Sequence, residues 1–331
     1  MSVILYCYGT SPYSKKTETV LLLKNIRHEK VIVANMLPRS EITDLLGIVY
    51  RQIPLLAIGN DIYCDTSLIA SILERRFPAS QGYGTIFPNK KGGGADTGLI
   101  KVFDKHYVDV VLFPLGLNLV PFDKIPPAFV ADRATPDTSA KKLVVRCPPT
   151  WSISWPVKRD STDHKQSLVE EQLSDGREWL FDTELPSLAD ASVHFVSLWI
   201  KGLPSTESLF DVSKFPQFME WLSRMTAYIE RLKAEQPPVL NVTGEDAAAR
   251  IVAASFEPYN VVGFDECEAT RLGLKAGDKV SVGADEIGKD FRTTGTLVAL
   301  NREEFVIEVQ GSAGLVRCHF PRILFNAAPV S

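Results

Sequence analysis

Apolar and polar positions in the first 80 residues switch between a period of two and a period near four. Residues 3 to 8 form a short apolar run, Gly9-Thr10-Ser11-Pro12 breaks it, and Val20, Leu21, Leu22 and Leu23 recur at helical spacing within Lys15 to Lys24. Val31 to Ala34 reads as a β-branched strand, so the opening predicts a βαβ unit with parallel strands and a right-handed crossover. Leu55 to Ile58, the Gly59-Asn60-Asp61 turn and Ile62-Tyr63-Cys64 predict a hairpin. Asp65-Thr66-Ser67 then opens a helix to about Phe77, with Leu68, Ile69, Ile72 and Leu73 as its apolar stripe and Pro78 as its stop.

The order βαβ followed by ββα predicts a thioredoxin-like α/β domain over residues 1–80. Residues 79 to 95 have the Gly, Pro and Lys content of a linker. An all-helical domain is expected over 95–235, because Leu99, Val102, Phe103, His106, Tyr107, Val110 and Val111 recur at steps of three or four. Helical pattern returns over Ser161 to Asp175, Ser187 to Leu203 and Pro216 to Lys233, while residues 135 to 161, with Trp151 and Trp155, predict a long loop. Gln236-Pro237-Pro238 marks a second boundary, followed by a short helix from Glu245 to Ala254. Strand candidates over 279–282, 295–300, 305–309 and 315–320 predict a small β-rich, barrel-like domain over 239–331. Its core is expected from residues such as Val280, Val282, Leu297, Ile307 and Phe320, with its second face docked on the helical domain.

A chain of 331 residues is long enough for two or three cores. With a net charge of -4 and 23% charged residues it is not a phosphate-backbone binder, so no nucleic acid partner is expected. No run approaches the roughly 20 apolar residues of a spanning helix, and Met1 to Gly9 lacks the basic flank of a signal peptide, so no membrane partner is expected. Cys7, Cys64, Cys147, Cys267 and Cys318 are scattered and never in CxxC spacing, which fits a reducing, cytoplasmic compartment. No Cys/His cluster has metal-ligand spacing, and no metal is expected. His106 and His194 read as core or cleft residues, and Arg39, Lys90 and Lys91 as solvated charge.

Three separated pieces then resemble the glutathione transferase family over about residues 3 to 235. Tyr8-Gly9-Thr10-Ser11-Pro12-Tyr13-Ser14-Lys15-Lys16 is similar to the segment that sets the family's reactive Ser or Cys ahead of the first helix. Gln52-Ile53-Pro54-Leu55-Leu56 with Asp65-Thr66-Ser67-Leu68-Ile69 is similar to its paired glutathione-binding segments, and Pro186-Ser187-Leu188-Ala189-Asp190 to the capping segment of its core helix. The tail, with His319-Phe320-Pro321-Arg322, resembles fungal members carrying an extra C-terminal β domain.

The resemblance implies an enzyme with glutathione as co-substrate, a small hydrophobic electrophile as the other substrate, and a two-fold homodimer. It also implies a cis Ile53-Pro54 bond whose backbone pairs with the cysteinyl part of glutathione. A hydroxyl at a helix N-terminus suits a thiolate, which places Ser11 at the sulfur, with Tyr8 as its rival and a simple helix cap as the bland alternative. Asp65 and Thr66 are expected at the γ-glutamyl end, or Asp65 is merely an N-cap. Gln52 stands where the family has Lys near the glycyl carboxylate, with Arg51 as a substitute cation. An accessory protein that binds glutathione without turnover is the alternative function.

Overall fold

The computed structural model describes residues 1–133, 167–285 and 288–330. Trp151, Trp155 and the predicted loop around them lie outside these residues, as does the start of the predicted helix over 161–175, which is present over 167–173. Two compact units are built from interleaved stretches of chain: residues 1–17, 26–75 and 238–331 form the first, and residues 18–25 and 76–237 the second.

The first unit is organised by one sheet. Its N-terminal strands are β1 (Val3–Cys7), β2 (Glu29–Ile32), β3 (Leu55–Ile58) and β4 (Asp61–Cys64). Helices α1 (Pro12–Leu23), α2 (Ser40–Thr43) and α3 (Thr66–Arg76) separate or follow them. β1 pairs parallel with β2 and antiparallel with β3, and β3 pairs antiparallel with β4. This is the βαβ and ββα order predicted for the N-terminus.

The C-terminal strands do not close into a barrel. Strands β6 (Lys279–Ala284), β7 (Thr293–Leu300), β8 (Glu304–Gln310), β9 (Leu315–Pro321) and β10 (Phe325–Pro329) form an antiparallel run, and β9 pairs parallel with β4. Together with β5 (Leu240–Asn241) beside β2, they complete an open ten-stranded sheet in the order β10-β6-β7-β8-β9-β4-β3-β1-β2-β5. The physical reason is the free edge of β4, whose unpaired N–H and C=O groups are satisfied by another strand of the same chain. The C-terminal strands are therefore continuous with the N-terminal sheet.

Period-two alternation lines one face of that sheet with a single core. Ile4 and Tyr6 of β1, Leu55 and Ala57 of β3, and Ile62 and Cys64 of β4 share it with Val280, Val282, Leu297, Ile307 and Phe320. Over this face lies the helix Gly244–Val252, whose Ala247, Ala248 and Ile251 are buried and whose N-cap Thr243 accepts from the Asp246 N–H at 3.1 Å. Leu315, which opens the strand predicted over 315–320, is 39% exposed, since alternation turns it away from the face that Val316 shares with the core.

The second unit contains a helical run of Thr97–Val102, Phe103–Leu112 and Phe113–Leu117, the central stretch wound as a π-helix, followed by Pro127–Arg133, Leu188–Lys201 and Pro216–Glu235. Asp190 anchors it. Its carboxylate accepts from the N–H groups of Leu180 and Ser187, both at 2.9 Å, from the Ser187 hydroxyl at 2.7 Å and from Trp221 Nε1 at 2.9 Å. This is the capping role read from the sequence, extended to fix the next helix. His194 is buried, bonded to Thr226 Oγ1 at 3.0 Å, and pushed down to about 4 by burial, so it is neutral at pH 7.

Candidate functional site

Register fixes where the predicted site residues fall. Tyr6 of β1 is opposite Leu55 of β3, and Leu55 is opposite Cys64 of β4. The segment after β1 that carries Ser11, the Ile53-Pro54 pair before β3 and the Asp65-Thr66 pair after β4 therefore share one end of the sheet. Two helices, α1 and α3, begin at that same end, so their N-termini and exposed N–H groups converge there.

Ser11 is the residue before α1. Its Oγ accepts the Ser14 N–H at 3.2 Å, its own N–H donates to the Tyr8 carbonyl at 3.0 Å, and it is 2% exposed. One lone pair thus caps the helix, and the hydroxyl proton is a separate resource. Tyr8 lies beneath a cation, with Arg39 Cζ 5.8 Å from its ring centroid.

The Ile53-Pro54 peptide is cis. Just before it, the Gln52 Oε1 accepts from the Tyr50 hydroxyl at 2.6 Å. Burial, with a contribution from the negative charge of Asp65, pushes the Tyr50 phenol well up, so it remains protonated and donates. That bond fixes which end of the Gln52 amide is the acceptor and leaves its NH2 group as the donor side.

At Asp65 the backbone is left-handed, with φ +71°, a conformation that costs energy outside glycine. The turn aims the carboxylate at α3, where Oδ1 accepts from the Ser67 N–H at 2.9 Å and from the Ser67 hydroxyl. Thr66, the first residue of α3, is buried. Asp65 is thus an N-cap, and it stands with Thr66 where α3 begins.

One expectation about charge changes. Arg39 is 3% exposed, not solvated: its guanidinium donates to the carbonyls of Ala34 at 2.8 Å, Asn35 at 3.3 Å and Arg51. It ties the end of β2 to the chain entering Gln52, a role that a lone arginine in sequence does not reveal. The Arg51 guanidinium lies over Phe291, with Cζ 4.9 Å from the ring centroid.

Away from this end, a buried ionic cluster spans the β4–β9 seam. His319 Nδ1 is 2.7 Å from Glu304 Oε2 and its Nε2 is 3.1 Å from Asp61 Oδ1. Arg75 binds Glu304 and Glu257, each at 2.6 Å. Burial opposes the His319 charge, but hydrogen bonds to Asp61 and Glu304 and their charges hold its pKa above the ordinary histidine value. Burial likewise opposes ionisation of Glu304, but the bond and charge of His319, with Arg75, hold it below the ordinary carboxyl value. On the opposite, apolar face of the same strands Cys64 and Cys318 are free thiols, Sγ to Sγ 3.6 Å. Among the described residues no group of His, Cys, Asp and Glu is arranged to hold a metal, and no helix is long and apolar enough to cross a membrane.

Known proteins share this fold. Residues 5–81 match the glutathione S-transferase N-terminal domain model, and residues 159–234 match a domain of unknown function, DUF7962. Among solved structures, a GST-like protein from Pseudomonas syringae is 26% identical, covers 99% of both chains and superposes with a TM-score of 0.73. The beta-etherase LigF from Sphingobium sp. strain SYK-6 is 19% identical over 71% of this chain and 100% of its own, with a TM-score of 0.54. No curated protein matches the chain. The fold is GST-like, and the end-to-end likeness is to a bacterial protein that spans the C-terminal strands as well.

Proposed function

We propose that this protein is a glutathione transferase-like enzyme that uses a bound glutathione thiolate to conjugate or isomerise a small hydrophobic electrophile. The observation that carries the reading is the convergence of Ser11, Ile53-Pro54 and Asp65-Thr66 at one end of β1, β3 and β4. Those three strands span about 10 Å at the usual spacing, which is also roughly the reach of an extended tripeptide.

In this arrangement the γ-glutamyl carboxylate meets the Thr66 N–H and hydroxyl at the start of α3, and its ammonium meets Asp65. Backbone groups of Ile53 pair with the cysteinyl unit, and the Gln52 NH2 faces the glycyl carboxylate as a neutral donor. The sulfur lies at the N-terminus of α1, where the helix dipole favours thiolate and the Ser11 proton donates to it while Ser11 Oγ keeps its bond from Ser14. In conjugation the thiolate forms a carbon–sulfur bond to the electrophile and the leaving group departs with the bonding pair; in isomerisation the sulfur is later expelled. Tyr8 is the rival sulfur ligand, and its place beneath Arg39 makes it the second site to test.

Among the described residues Cys7, Cys64, Cys267 and Cys318 are free thiols, which suits a reducing cytoplasm. A homodimer is part of the proposal; because β9 covers β4, it cannot form by pairing β4 edges, and light scattering reads its mass directly.

One feature favours a second reading, a glutathione-binding accessory protein without turnover: Ser11 is 2% exposed and already engaged as a cap. Retention on immobilised glutathione followed by a panel of small electrophiles separates the two. Retention with turnover supports the enzyme and retention without it supports the accessory protein. Failure to bind glutathione sinks both.

A further inference from the structure

The chain from Asp44 to Gln52, which delivers Gln52 and the Ile53-Pro54 pair to the site, is held largely by residues from the far end of the sequence. At its start, the Ser312 N–H donates to the Asp44 carbonyl at 2.9 Å and the Ala313 N–H to the Leu45 carbonyl at 3.1 Å. Approach there is so close that a Cβ on Gly311 would meet the Leu45 oxygen at 2.2 Å, and one on Gly47, itself at φ +73°, would meet the Gln310 oxygen at 2.6 Å. Further along, a single buried hydroxyl, Thr293 Oγ1 at the start of β7, accepts from the Val49 N–H at 3.1 Å and the Tyr50 N–H at 3.2 Å.

Tyr50 is clamped as well. Its ring packs edge-on to Phe320 of β9, with centroids 6.0 Å apart, and at 5.9 Å from Phe325 of β10. From that position its hydroxyl reaches Gln52 Oε1. Arg51 lies on Phe291 between these contacts.

We infer that the C-terminal strands are part of the glutathione-binding apparatus, with Thr293 and Tyr50 as positioning residues that set the Gln52–Pro54 segment. The inference rests on the glutathione reading for its functional consequence, but the ordering of the segment is a property of the unliganded protein and can be read without any ligand.

Three variants test it. Tyr50→Phe deletes only the hydroxyl that orients Gln52; Thr293→Val keeps shape and removes the acceptor of two buried N–H groups; Thr293→Ser restores that acceptor. Hydrogen exchange of the unliganded protein should show amides 49–53 exchanging at least tenfold faster in Thr293→Val, with rescue in Thr293→Ser and no change in helix Leu188–Lys201. Glutathione titration should show affinity falling roughly five- to tenfold in Tyr50→Phe and in Thr293→Val, with Thr293→Ser near wild type, the loss expected from one misplaced hydrogen-bonding segment. Unchanged exchange over 49–53 in Thr293→Val overturns the inference, as does wild-type glutathione affinity in both Tyr50→Phe and Thr293→Val. A wild-type protein that holds no glutathione sinks the proposed function, and the exchange contrast still decides whether the C-terminal strands set the segment.

Discussion

Asp190 in the helical unit and Glu304 in the sheet unit are both buried carboxyls, yet their surroundings push them in opposite directions. Asp190 is met by neutral donors, two backbone N–H groups, a hydroxyl and an indole, and burial still raises it. Glu304 is met by Arg75 and His319, and is lowered despite burial. Neutral donors are enough to start a helix from residues ten and three positions away. Charged partners are used where the chain must join Asp61 to His319, 258 residues apart. One carboxyl specifies a local turn; the other fastens two ends of the sequence.

That contrast can be broken from either side. The largest effect is expected from Glu304→Ala, which leaves Arg75 to Glu257 and His319 to Asp61 but removes the buried carboxylate that joins the two, and should cost about 3 to 5 kcal/mol in denaturant unfolding of the sheet unit. Asp190→Asn replaces a pure acceptor with a group that turns an NH2 toward existing donors, and should cost about 1 to 3 kcal/mol, with the loss confined to the helical unit.

The pH dependence sharpens the same comparison. Because the folded pKa of Glu304 is below its ordinary 4.5, its contribution is present above that value and is lost as pH falls through the lower folded pKa. For His319, whose folded pKa lies above 6.5, the contribution is complete below 6.5 and is lost as pH rises through the higher folded value. The seam should therefore be most stable in mildly acidic solution. Asp190 has the opposite sign to Glu304 in acid: its contribution is complete below its ordinary 3.8 and declines as pH rises toward its raised folded pKa. Melting curves from pH 4 to 9 should show His319→Gln losing the alkaline decline that wild type has; an unaltered profile would contradict the assignment.

Much of the N-terminal half of the sheet was legible, and with it the place in the fold of the proposed site residues. Strands β1, β3 and β4 and helices α1 and α3 follow local periodicity and breakers, and Ser11, Gln52, Ile53, Pro54, Asp65 and Thr66 fall in the short turns and helix starts that those breakers mark. What escaped was non-local. Nothing around Val316, Cys318 and Phe320 states that their strand will pair with Asp61, Ile62 and Tyr63, because an edge is satisfied by any strand of fitting alternation. β5 is two residues long and β10 ends at Pro329, so neither carries a strand pattern. Arg39 reads as surface charge because its partners are backbone carbonyls, which have no signature in sequence.

Ser11→Ala gives a smaller energetic effect than breaking the seam, on the order of 10-fold to 1000-fold in turnover with glutathione affinity little changed, as expected for one lost donor to a developing anion. Preserved turnover in Ser11→Ala with collapse in Tyr8→Phe would transfer the role to Tyr8.

The central claim is that the sheet end formed by β1, β3 and β4 binds glutathione, and calorimetric titration of glutathione into wild type, Asp65→Ala and Thr66→Ala tests it most directly. Saturable binding to wild type, weakened by about 1 to 3 kcal/mol in each variant, is the predicted result. Binding of wild-type strength in both variants, or none in the wild type, would contradict it.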